Sequence, residues 1–184
     1  MLKQVKCPMP QLFRFDPNKA LEVLLYIASR APHPNIYWVL KILYFADKAS
    51  LQQWGRLICG DSYVAMSKGP VPSGAYDIVK EVRYGIPTTC SHAGDAFEVR
   101  ADHRFVPFRD ADLDLLSESD IECLDQSIVE NGRLTFGQLK KKSHDSAFDA
   151  ADENDFIPLE DIVATLPNAA LVSDYLAHRD TVLR

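Results

Sequence analysis

The chain has 184 residues, of which 47% are apolar and 25% charged, and its formal net charge is −6. This length and balance are typical of one folded domain and exclude a chain that is disordered throughout. No apolar run reaches the roughly 18 residues that a membrane-spanning helix needs, so we expect no membrane segment.

The first two predicted helices have clear boundary signals. Asp16 is typical of an N-cap and Pro17 of a first helical position, and Pro32 ends the helical pattern. A second apolar stripe runs from about Asn35 to Trp54, and Gly55 follows it as a helix-ending residue. The sequence therefore predicts two long helices near its start.

The stripe of the second helix also predicts which of its side chains are buried. Leu43 and Ala46 lie on the apolar face and are expected in the core. Tyr44 and Asp47 are expected at the border of that face, where an aspartate often binds a nearby backbone group or an arginine. We therefore interpret the run Lys41–Asp47 as structural.

The middle of the chain contains short β-capable runs. Tyr63–Met66 lies between turn signals and predicts a strand, and a helix with Ser73 as its cap is expected to run to about Tyr84. Ala96–Val99 and Arg104–Phe108 predict two further strands around a turn at residues 101–103. We expect them to form a small antiparallel β element.

Helices return in the second half. Ser117–Asp120 resembles a capping arrangement, and Thr135–Gln138 is a capping box that opens a helix to about Lys142. Pro158 begins another short helix, and Asn168–His178 predicts the last one. The predicted fold class is therefore mainly α (α+β), a single compact helical domain with the small antiparallel β element inserted in its middle.

Domain organisation and location follow from what the chain lacks. There is no linker-like stretch and no repeat, so we expect an N-terminal extension over residues 1–15 and one domain over residues 16–184. Prolines stand where a signal peptide would be apolar, which predicts a cytoplasmic protein. Cysteines and histidines lack metal-ligand spacing, and no phosphate-binding glycine loop is present. We therefore expect reduced, mostly buried thiols, no metal and no cofactor.

Charge is divided unevenly along the chain. Residues 1–101 carry 12 Lys and Arg against 8 Asp and Glu, whereas residues 102–161 carry 6 against 16. Such an acidic region repels phosphate backbones, which makes nucleic acid an unlikely partner. It favours a protein partner with a basic surface, which Asp110–Glu130 in particular would steer.

A proline-locked segment is the candidate partner-binding site. Two prolines around a valine fix an extended backbone, which loses little entropy when it binds. Aromatic and basic side chains flank the segment and are common interface anchors. The alternative is a loop that launches the next helix and packs against the core. The predicted partner-binding residues are Tyr63, Lys68, Gly69, Pro70, Val71, Pro72 and Tyr76.

Several short segments, in order along the chain, carry a resemblance to a known family. They are Lys41–Asp47, Trp54–Arg56, Gly60–Tyr63, Met66–Pro72, Tyr76, Leu116–Asp120, Leu134–Leu139 and Ser143–Asp145. In combination they resemble the Panacea antitoxin domain, the family of the SocA-like antitoxins and the phage-associated GepA-type proteins. The resemblance covers about residues 18–150, with Phe148 where the family often carries Trp.

The resemblance implies an antitoxin of a two-gene toxin–antitoxin system, which neutralises the toxin of a neighbouring gene by direct protein–protein binding. It also implies that at least one member acts as a proteolytic adaptor for a AAA+ protease. We expect no enzyme activity. Two alternatives stay open: a hydrolase-type enzyme that uses Asp61, His103 or His144–Asp145, and a DNA-binding regulator.

Overall fold

A computed structural model describes residues 13–87, 90 and 92–182. It confirms the predicted class, mainly α with small antiparallel sheets. The helices are α1 Pro17–Arg30, α2 Ile36–Trp54, α3 Ser73–Tyr84, α4 Glu118–Asn131, α5 Phe136–Ser143, α6 Ser146–Ala150, α7 Leu159–Ala164 and α8 Ala169–Val182. The strands are β1 Tyr63–Met66, β2 Gly69–Pro72, β3 Phe97–Val99, β4 Phe105–Pro107 and β5 Phe156–Ile157. Most of the predicted N-terminal extension, residues 1–12, lies outside the described residues.

The ends of the predicted helices are where their capping residues place them. The Asp16 carboxylate accepts from the first turn of α1, and Pro17 is its first residue. Capping boxes open α4 and α5, with side chains and backbone N–H groups bonded reciprocally. Gly55 ends α2 in a left-handed conformation (φ 63°), where a Cβ would lie 2.5 Å from the ring of Tyr175. These predictions are confirmed.

Helix α2 lies between two clusters of buried side chains. Leu43 and Ala46 belong to the larger cluster, which α1, α3 and α4 share, so their predicted burial is confirmed. The expectation that Tyr44 and Asp47 lie at a border is wrong, because both are buried, with 0% and 1% exposure. The cause is the second cluster, to which Tyr44 belongs and which residues of α7 and α8 complete on the other side of the helix.

Strands β1 and β2 form an antiparallel hairpin in which Tyr63 faces Pro72 and Met66 faces Gly69. Strand β5 pairs with the other side of β1, so the order is β2-β1-β5. The sequence did not predict β2 because its prolines cannot donate to a sheet. They are tolerated because β2 is an edge strand. The predicted pairing of β3 with β4 is confirmed, with Phe97 opposite Pro107.

Helix α3 begins differently from the expectation. Pro72, not Ser73, occupies the N-cap position and offers no side-chain cap. The carboxylate of Asp61 replaces the cap: its two oxygens accept from the N–H groups of Gly74 and Ala75, each at 2.8 Å. The start of α3 is therefore held by a residue on the far side of the hairpin.

None of the helices within residues 13–87 and 92–182 is both long and apolar enough to cross a membrane. Cys59, Cys90 and Cys123 are buried, which confirms their predicted burial, and they form no disulfide among the described residues; Cys7 lies outside the described residues. Among the described residues, no group of three or more His, Cys, Asp or Glu side chains could hold a metal ion.

Candidate functional site

The predicted partner-binding residues all lie on the β1–β2 hairpin or the first turn of α3, but they differ in exposure. Lys68 is exposed at the tip, and Val71 and Tyr76 are half-buried. Gly69, Pro70 and Pro72 are buried within β2. The side chains that can meet a partner are therefore fewer than the sequence predicted.

Tyr63 is a core residue, so its predicted place on a partner surface needs correction. It is 2% exposed, and its ring packs edge-on against Tyr44 with centroids 5.0 Å apart. Its hydroxyl donates to the carboxylate of Asp47 at 2.6 Å. An aromatic residue between two turn signals does not reveal which face of the strand is covered, and here β5 and the second cluster cover it.

Asp47 is the buried acid to which the Tyr63 hydroxyl donates. One carboxylate oxygen accepts from Tyr63, and the other accepts from the N–H of Ile58 at 2.7 Å. Burial raises the pKa of Asp47 to about 7, although these two hydrogen bonds oppose the rise. Asp47 thus joins α2 to the segment before β1.

A cavity of about 470 Å³ lies beside the exposed part of the hairpin, between α2, α3, the start of α5 and the β3–β4 turn. We call it the basic groove. It receives Lys68, Val71 and Tyr76 from the predicted set. Its basic and aromatic lining residues are Tyr37, Trp38, Lys41, Lys68, Tyr76, Lys80, Arg83, Tyr84, His103 and Phe136.

Aromatic contacts hold one wall of the basic groove in place. The rings of Tyr37 and Phe136 lie 4.7 Å apart, and Tyr37 meets Trp38 edge-on at 5.5 Å. The Trp38 indole donates to the carbonyl of Leu134 at 3.0 Å, and the Tyr37 hydroxyl donates to that of Lys68 at 3.3 Å. These bonds connect the wall to the hairpin and to the segment just before α5.

Cations of α3 and of the hairpin also line the groove. Lys80 pairs with Asp77 at 2.6 Å, one turn earlier on α3, and its ammonium lies 5.2 Å from the centre of the Tyr76 ring. The guanidinium of Arg83 contacts the His103 ring. Lys68 has no ion pair within the described part of the chain.

Lys41 lies at the floor of the groove and is 1% exposed. Its ammonium donates to the carbonyl of Pro70 and lies 5.3 Å from the centre of the Tyr37 ring. No described carboxylate forms an ion pair with it, and burial lowers its pKa to about 7. Gly69 lies beside it with φ 104°, a conformation that favours glycine, and a Cβ there would lie 2.7 Å from the Ser143 hydroxyl oxygen and 3.2 Å from the Lys41 nitrogen.

The acids proposed for a hydrolase have structural partners instead. Asp61 accepts from three backbone N–H groups, including that of Ser62. Asp145 caps α6 and also accepts from Tyr44 and Lys48, each at 2.8 Å. The adjacent His144 packs against the ring of Phe148. Among the described residues, neither Asp61 nor Asp145 forms a hydrogen bond with a histidine.

Sequence reasoning missed most of the groove. Tyr37 and Lys41 are four residues apart on α2, and Tyr76, Lys80 and Arg83 follow the same helical spacing on α3. That spacing reveals that each set shares a helix face. It does not reveal that the two faces meet across β2.

The family model described as "Antitoxin SocA-like, Panacea domain" matches residues 39–148. The match begins within α2 and ends within α6, and it includes the hairpin and α3. The groove residues Asn35, Ile36, Tyr37 and Trp38 precede the matched range, and the other groove residues lie within it. No curated protein and no solved structure matches the chain.

Proposed function

Because the chain belongs to the family of SocA-like antitoxins with a Panacea domain, we propose that it neutralises the protein toxin of a neighbouring gene by binding it directly. The match to more than half of the chain is the observation that carries this proposal. It supports a binding role rather than an enzymatic one.

We propose the exposed side of the hairpin and the basic groove as the toxin-binding surface. Lys68, Val71 and Tyr76 lie there, whereas Tyr63 does not. The backbone of this surface is fixed by sheet pairing and by the bond from Lys41 to Pro70. Side chains on such a fixed backbone lose little conformational entropy when a partner binds.

Coexpression tests the antitoxin role. The neighbouring gene is induced alone and together with this chain, and growth is followed. We expect the neighbour to stop growth and this chain to restore it, with the two proteins copurifying. A neighbour that is harmless when induced alone would contradict the proposal.

The same cultures distinguish the mode of neutralisation. Direct binding leaves the toxin present at an unchanged level on an immunoblot while growth is restored. An adaptor for a AAA+ protease instead lowers the toxin level, and deletion of the protease abolishes the rescue. We expect the first result.

A further inference from the structure

The basic groove has a one-sided charge. Its described lining contains three lysines, an arginine and a histidine but no aspartate or glutamate. This contrasts with the chain as a whole, whose formal net charge is −6. A concave surface lined by one sign of charge concentrates the electrostatic potential and favours ligands of the opposite sign.

Two of the cations are placed to meet such a ligand. Lys68 is exposed and has no ion pair among the described residues. Arg83 is half-buried, contacts a histidine ring and forms no ion pair with any carboxylate of the described residues. Lys80 is less available to a ligand because it pairs with Asp77. This pair is weak, since the two side chains are 36% and 47% exposed and water screens their charges.

Lys41 adds a cation at the floor. Its ammonium has three N–H donors, and the carbonyl of Pro70 is the acceptor the structure gives it. Burial favours its neutral form, and a carboxylate entering the groove would favour the ammonium again. The groove is therefore arranged to gain electrostatic stabilisation when an anion binds.

Exposed aromatic side chains in the groove indicate that the ligand is not purely acidic. Phe136 is 42% exposed and Tyr84 is 59% exposed, and both line the groove. Apolar area of this kind gains free energy only when an apolar group covers it. A segment that carries both carboxylates and an aromatic or large aliphatic side chain matches the lining.

We propose that the basic groove binds an acidic segment of the toxin, whose carboxylates meet Lys68 and Arg83 and whose apolar side chain covers Tyr37 and Phe136. The inference rests on the proposed antitoxin function and identifies the chemistry of the partner at that surface. The volume of about 470 Å³ lies in the range of pockets that enclose a ligand, roughly 300–1,000 Å³.

Charge reversal on the antitoxin tests the inference. Lys68→Glu and Arg83→Glu are each titrated against the purified toxin of the neighbouring gene. We expect affinity to fall about tenfold or more for each variant. Lys141→Glu makes the same charge change at an exposed lysine outside the groove lining, and we expect less than a twofold effect. Equal melting temperatures establish that all three variants fold.

The toxin is then scanned as overlapping synthetic peptides of about 15 residues. We expect an acidic peptide with an aromatic or aliphatic residue to bind the wild-type chain and to lose affinity for Lys68→Glu. Changing its acids to lysine in the full toxin should weaken binding to the wild type and restore binding to Lys68→Glu. Restoration requires direct pairing, which a merely structural role of Lys68 would not produce.

The outcomes separate this inference from the function it rests on. If the toxin is neutralised and bound but neither Lys68→Glu nor Arg83→Glu lowers affinity, the inference of an acidic toxin segment in the groove is wrong and the antitoxin role stands. If only basic peptides bind, or if a single-stranded oligonucleotide binds the groove and the toxin does not compete, the inference is overturned. If the toxin is neither bound nor neutralised, both proposals fail.

Discussion

Tyr63 and Lys68 are five residues apart on one hairpin but have opposite roles. Tyr63 is buried and donates to the carboxylate of Asp47, whereas Lys68 is exposed at the rim of the groove. We therefore expect the first residue to act on stability, and we propose that the second acts on affinity. A pair of substitutions measured in two assays separates these roles.

Tyr63→Phe removes a hydroxyl but keeps the ring. It leaves a buried carboxylate with one donor fewer, and we expect the free energy of unfolding to fall by about 1–3 kcal/mol. Toxin affinity should not change.

Lys68→Ala should give the reverse, an affinity loss of about 1–2 kcal/mol with unchanged stability. Urea unfolding measures the stability of both variants, and titration calorimetry measures their affinity for the toxin. A Tyr63→Phe variant that keeps its stability but loses affinity would show that Tyr63 belongs to the partner-binding surface.

Asp47 makes stability depend on pH. Its pKa in the folded chain is raised to about 7, mainly by burial, while the unfolded chain has the usual value near 3.8. Between about pH 4 and about pH 7 the unfolded chain releases a proton that the folded chain keeps. Ionisation of Asp47 in this interval therefore favours the unfolded chain. The contribution of Asp47 to the free energy of unfolding falls as the pH rises from about 4 to about 7.

Asp47→Asn removes that titration with little change in shape. We expect the stability of the wild type, measured relative to Asp47→Asn by urea unfolding, to decline from about pH 4 to about pH 7. Asp114→Asn, at an exposed acid, controls for the loss of one carboxylate. A difference between wild type and Asp47→Asn that is constant over this interval would show that the carboxyl titrates equally in both states.

At the scale of elements, α3 depends on a residue outside itself. Asp61 supplies the cap that Pro72 lacks, and α3 carries two of the groove's four lysine and arginine side chains. Asp61→Ala leaves three N–H groups without this acceptor, so we expect a loss of about 1–3 kcal/mol in unfolding free energy. Asp77→Ala on the same helix removes only a half-exposed ion pair and should cost less than about 0.5 kcal/mol. Equal losses for the two variants would contradict the capping role.

Local signals account for the elements that the sequence predicted. Asp16, Ser117 and Thr135 each bond to N–H groups within three residues, so their helices could be placed from sequence alone. The elements that were missed depend on distant partners. Strand β5 exists because Ile157 pairs with Tyr63, 94 positions earlier in the chain. The short helix α6 is an exception, because its cap Asp145 accepts from the N–H of Phe148 three residues on, a local signal that the sequence analysis did not use.

The groove, too, could not be located from local sequence signals. Its chemistry is visible in the sequence as basic and aromatic residues at helical spacing on α2 and α3. Its location depends on β2 bringing both helices against one hairpin. Lys41 is the clearest case, because a lysine within an apolar helix run predicts no burial, yet its side chain reaches the carbonyl of Pro70.

At the scale of the whole molecule, two regions of opposite charge would meet different parts of the toxin. The acidic region, residues 102–161, is predicted to steer a basic surface, whereas the groove is proposed to hold an acidic segment. Many of the acids in this region are exposed, among them Asp114, Glu118 and Glu122. Such charges act mainly on the rate of association.

We expect the association rate with the toxin, measured by stopped flow, to fall as salt rises, because the Debye length is only about 8 Å at physiological ionic strength. Replacing Asp114 by Asn and Glu118 and Glu122 by Gln should reduce this salt dependence and leave the dissociation rate nearly unchanged. The control makes the same kind of change at Asp95, Glu98 and Asp174, which lie outside residues 102–161, and should change the salt dependence less. A rate that is flat from low to high salt would contradict steering.

The prolines of β2 limit how any partner can be recognised at this edge of the sheet. An added strand needs a continuous row of N–H donors and carbonyl acceptors. Pro70 and Pro72 remove two of the four donors of β2, and the carbonyl of Pro70 is already bonded to Lys41. The ladder therefore cannot be extended by a strand of the toxin or of a second copy. Recognition here falls to side chains, and the same edge is protected against the strand-to-strand aggregation to which open sheets are prone.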